Sequence, residues 1–112
     1  MEGKVIMSIS DRYRQLLERI DLESDHLYEI LPESTVKALR LVDIATEELQ
    51  NLADSVGEIP QFQLEAKLSP VLLEAHGYLD RARVMLEKDD HQRAVDIIWE
   101  LEQGVYRLLN DL

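Results

Sequence analysis

Residues 89–112 read DDHQRAVDIIWELEQGVYRLLNDL, and the apolar positions in this stretch decide the fold. Ala94, Ile97, Ile98, Leu101, Val105, Leu108 and Leu109 recur at three and four residues, the period of an α-helix. Val95, Trp99 and Tyr106 widen the stripe. At about 100° per residue the combined arc covers roughly 200°. A surface helix in a small domain needs an apolar stripe of only about 100° or somewhat more. The excess predicts burial on two sides, the second against another subunit or a partner protein.

The same period recurs upstream. A helix over 9–31 carries the stripe Ile9, Tyr13, Leu16, Leu17, Ile20, Leu27, Ile30 and Leu31, and Ser8 with Asp11 has capping-box spacing at its start. Glu23 and Ser24 interrupt the stripe, a polar step that can fix register, mark a site or merely touch solvent, the last being commonest. Pro32 ends this helix and opens a second, over 33–56. The second stripe is Val36, Leu39, Val42, Ala45, Leu49, Leu52, Ala53 and Val56, widened by Leu41 and Ile44. Gly57 is placed as its C-cap, and Pro60 prevents simple continuation. The 58–69 connection holds Phe62, Leu64 and Leu68, with room for a short extra helix across an end of the bundle.

Ser69-Pro70 has the pattern of an N-cap followed by a first-turn proline, so a third helix is expected over 70–88. Its main face is Val71, Leu72, Ala75, Tyr78, Leu79, Ala82, Met85 and Leu86. Leu73, Gly77 and Val84 lie nearly opposite, as isolated exposed residues or as a second, smaller contact stripe. Asp89 or Asp90 is expected to cap a fourth helix over 90–110, Asp89 having capping-box spacing with Gln92. Together the stripes predict an all-α fold: one domain over 1–112, an antiparallel four-helix bundle with short links inside each helix pair.

Composition narrows the function classes. The chain has 112 residues, 46% of them apolar, which is ordinary for a globular domain. It contains no cysteine, so disulfides, thiolate nucleophiles and cysteine metal sites are excluded, and a reducing cytoplasm is the expected compartment. The run Lys4 to Met7 is too short for a signal-peptide core. No stretch approaches about 18 apolar residues, so no membrane partner is expected. The net charge of −11 repels phosphate backbones, so no nucleic-acid partner is expected either. Segment 61–88 alone is neutral, and Lys67, Arg81, Arg83 and Lys88 are read as balancing acidic neighbours within the bundle.

Candidate chemistry mostly reduces to structure. Glu23 and His26 have the Glu-x-x-His spacing of bundle di-iron sites, but a second such motif is missing. Glu47 and Glu48 lie on the flank of the second helix without the Glu-x-x-Glu spacing of magnesium-binding bundles, and the carboxylates are dispersed. No glycine-rich phosphate loop or nucleophile elbow occurs. The expectation is therefore no enzyme, no cofactor and no metal. The leading reading is a protein-interaction or oligomerisation module, most simply a homodimer, docking through Val95, Trp99 and Tyr106 with Leu73 and Val84. The alternative is an acidic helical-bundle enzyme or metal-binding protein that uses dispersed carboxylates such as Glu23 and Glu47 with His26.

Overall fold

The computed structural model describes residues 8–112, so the Lys4 to Met7 run lies outside the described residues. Helix α1 spans Ile9–Ile30. It starts as the spacing predicts, with Ser8 Oγ accepting the Asp11 backbone N–H at 3.1 Å. At its other end the Leu31 N–H still reaches Leu27, and Pro32 leads into a 3-10 turn over Glu33–Thr35. The Thr35 hydroxyl donates back to the Pro32 carbonyl at 2.6 Å. This turn runs directly into α2, Val36–Ala53.

The helices then depart from expectation at three boundaries. Helix α2 ends at Ala53 rather than near Val56, and Gly57 sits in a 3-10 turn over Val56–Glu58 without a positive φ. Gly57 instead leaves room for Arg14, whose guanidinium would lie 3.0 Å from a Cβ at this position. From there Arg14 Nε donates to the Ala53 carbonyl at 3.3 Å, satisfying one of the open carbonyls at the end of α2.

The second departure is larger. Helix α3 spans Leu64–Lys88, so Pro70 lies inside it and Ser69 is not its N-cap. An interior proline gives up a backbone hydrogen bond and costs about 3 kcal/mol. Starting the helix six residues earlier buries Leu64 and Leu68, each contributing roughly 1.5–3 kcal/mol. Burial therefore outweighs the local stop signal. A 3-10 turn over Gln61–Gln63 precedes the helix, and Phe62 is exposed.

The third concerns the link to α4, Gln92–Asn110. Neither Asp89 nor Asp90 caps this helix; its N-cap is His91, with no side-chain hydrogen bond. Both aspartates finish α3 instead. Asp90 adopts a φ of 62°, the His91 N–H reaches the Leu86 carbonyl at 3.0 Å, and the Asp90 N–H reaches Glu87 at 3.2 Å. This is a Schellman ending, with aspartate in the left-handed position that glycine usually fills. Aspartate tolerates that region better than most residues because its short side chain is polar.

The four helices close a ring. Helix α3 makes the most extensive contacts, with α2 on one side and α4 on the other, and α1 packs against both α2 and α4. The core runs through Ile20, Leu27, Val42, Leu49, Leu72, Leu79, Leu86, Ile98 and Leu101, all buried. Two polar ties fix α1 on α2. The buried Tyr13 hydroxyl donates to the Leu49 carbonyl, and burial raises its pKa. Ser24 and Tyr28 both donate to the Asp43 carboxylate. Ser24 is buried, so the polar step in the α1 stripe fixes register rather than touching solvent.

Gly77 does not admit a close neighbour. A Cβ there would meet nothing within 4 Å. Gly77→Ala is therefore expected to stabilise the fold by about 1 kcal/mol through helix propensity and a less flexible unfolded chain. Urea denaturation of the two proteins measures the difference.

Candidate functional site

The surface shared by α3 and α4 gathers the unusual chemistry of this chain. On α3, His76, Asp80, Arg83 and Glu87 recur at four, three and four residues and so share one side of the helix. On α4, Trp99, Glu102 and Tyr106 do the same. The two rows meet around Arg83. Its Nε donates to Glu102 Oε2 at 2.8 Å, and its Nη2 donates to Asp80 Oδ1 at 2.6 Å. Nη1 lies 3.8 Å from Glu87, and His76 Nε2 lies 3.7 Å from the other Glu102 oxygen. The guanidinium carbon also stands 5.3 Å from the centre of the Trp99 ring, within cation–π range. One arginine thus joins the two helices and props the indole.

Glu102 is the residue that sequence reasoning missed. A glutamate is ordinarily solvated, yet this one is 1% exposed. The signal was available: on a helical wheel Glu102 falls between Ile98 and Val95, inside the apolar arc. Burial pushes its carboxyl up to about 7, against the opposing pull of Arg83. Asp80 moves the other way, because the Arg83 hydrogen bond holds its carboxyl below the usual range.

This arrangement sets a pH dependence. Between the ordinary carboxylate range and about 7, folded Glu102 holds a proton that the unfolded chain has released. The resulting stability is fully present below about 4.5 and is lost as pH rises through about 7. The melting temperature is therefore expected to fall between about pH 4.5 and about pH 7 and to level off above that. Glu102→Gln should flatten that slope while leaving His76 in place, and calorimetry across the range reads both.

The predicted surface residues divide. Val95 is 5% exposed and belongs to the protein's own core, so it is not available to a partner. On the helical wheel it lies between Glu102 and Tyr106, on the inner side of Trp99. Trp99 and Tyr106 are 47% and 51% exposed. They stand seven residues apart, two turns or about 10.5 Å along one edge of α4. Leu73 and Val84 are also exposed, on α3, one step further round the helix than the Arg83 row. The outer surface of this helix pair therefore carries apolar side chains on both flanks of an ion-paired seam. Leu22, Val36 and Phe62 are exposed on other elements.

The basic residues of segment 61–88 follow expectation only in part. Arg83 balances acids, whereas the Arg81 guanidinium carbon stands 4.8 Å from the centre of the Tyr78 ring. Glu23, His26 and Glu47 do not converge: among the described residues no three His, Asp or Glu side chains are placed to hold a metal ion. No described helix is long and apolar enough to cross a membrane. No protein family matches the chain, and no curated protein or solved structure does either.

Proposed function

We propose that this chain is a non-catalytic, cytoplasmic interaction module that docks through the α3–α4 surface around Trp99 and Tyr106, most simply onto a second copy of itself. The observation that carries this reading is the half-exposed Trp99 held over Arg83, with Tyr106 two turns away. Tryptophan, tyrosine and arginine are the residue types enriched at binding hot spots. The indole is braced before any partner arrives, which lowers the ordering cost of association. Leu73 and Val84 extend the apolar surface, and surrounding acids discourage wrong partners. Two-fold dimers are the commonest assemblies of soluble chains.

Sedimentation equilibrium tests the self-association form. The wild-type chain is expected to show the mass of a dimer, and the double variant Trp99→Ala, Tyr106→Ala that of a monomer with unchanged helicity. A monomeric wild type contradicts self-association. Stoichiometric metal binding that disappears in His26→Ala favours the acidic-bundle reading instead.

A further inference from the structure

Away from the Trp99 surface, α1 and α4 enclose an open groove of about 390 Å³, lined by Arg12, Gln15, Leu16, Arg19, Gly104 and Arg107. Three guanidiniums and no carboxylate line this groove, in a chain whose net charge is −11. The groove is a local reversal of the protein's charge. Its construction follows from spacing. Arg12 and Arg19 stand seven residues apart on α1, two turns or about 10.5 Å along one flank. Arg107 lies on the facing helix. Gly104 lets α1 come close, because a Cβ there would stand 3.1 Å from the Leu16 methyl. Leu16 therefore supplies an apolar step between the arginines, against Gly104 and beside Gln15.

One arginine already shows what the groove accepts. Arg12 Nη1 binds the Asp111 carboxylate at 2.8 Å, from the residue that ends α4. Arg19 and Arg107 make no salt bridge among the described residues. Guanidinium forks suit carboxylates in paired geometry, and a groove between two helices suits a third helix.

We infer that this groove docks an acidic amphipathic helix of a partner protein. Two carboxylates two turns apart meet the arginine flank, and an apolar side chain between them rests on Leu16 beside Gly104. The inference is independent of the Trp99 surface, since no residue is shared between the two.

A fluorescent, end-blocked helical peptide of about 15 residues, long enough to hold a helix, is the probe. It carries two glutamates seven apart with a leucine between them, and the control carries glutamines at the same two positions. The glutamate peptide is expected to bind at least about tenfold tighter than the control by anisotropy, and more weakly as salt rises. Arg19→Glu with Arg107→Glu should lose that preference with unchanged circular dichroism, because both side chains are exposed. Trp99→Ala should retain it, which separates this groove from the proposed docking surface. Equal binding of the two peptides, or binding unaffected by the charge reversal, overturns the inference. So does binding of pyrophosphate at these arginines without binding of the peptide, which identifies a phosphate ligand instead.

Discussion

Arg83→Ala is expected to destabilise the bundle by about 3–5 kcal/mol, a large share of the roughly 5–15 kcal/mol that holds a domain of this size. The loss comes from what remains. Glu102 stays buried beside Asp80, without the guanidinium that binds both. Its carboxyl, already raised to about 7 by burial, loses the cation that opposes that rise, so it stays buried with its hydrogen bond from Arg83 unmade or draws water into the helix interface, and either is costly. The indole of Trp99 loses its support as well. A buried ion pair owes much of its apparent worth to this asymmetry, since replacing both charges by apolar groups of similar volume is often neutral. Arg83→Met combined with Glu102→Leu should therefore recover most of the lost stability. Urea denaturation of the single and double variants separates the two effects. If the double variant is as unstable as Arg83→Ala, the seam is not a paired burial of charge.

Leu79→Asp is expected to abolish cooperative folding. Leu79 is fully buried on α3, the helix in widest contact with its neighbours. The substitution forfeits roughly 1.5–3 kcal/mol of apolar burial and adds an unpaired carboxylate where no partner is available. A loss of that combined size exceeds what a small domain can absorb. Leu73→Asp supplies the contrast, because Leu73 is exposed on the same helix. In the single chain, at concentrations too low for self-association, such an exposed site is usually worth within about 0.5 kcal/mol. Thermal melts followed by circular dichroism should show no transition for the first variant and a near-normal one for the second.

The contrast between residues 73 and 79 also shows what the sequence carries well. Period and stripe width located α1, α2 and α4 within a few residues, because no local stop signal conflicts with the core-facing stripe inside those helices. The Ser69-Pro70 boundary misled because local chemistry and tertiary burial disagree there. Leu64, Leu68, Leu72 and Ala75 continue one stripe across the proline, and burial of that stripe decides the helix start. Asp90 misled for a related reason: the same residue type suits an N-cap and a left-handed helix ending, and the tight link between α3 and α4 selects the second.

The site was legible in half. The wide arc of α4 did flag an edge beyond its own core, and Trp99 with Tyr106 occupies it. The arc could not separate Val95 from that edge without the position of α3. Nor did residue type identify Glu102, because a glutamate is read as solvated unless a cross-helix partner is known. Arg83 was read as balancing acids within the bundle, but its contact with Glu102, nineteen residues away, is a product of packing.

Trp99 is the sole tryptophan, so its fluorescence reports directly on the proposed docking surface. The most direct test is its emission and iodide quenching across a protein concentration series. If a second copy covers this surface, emission shifts to the blue and quenching falls as concentration rises, and Tyr106→Ala suppresses both changes. Emission and quenching typical of a half-exposed indole at every concentration, with a monomeric mass throughout, would contradict the account.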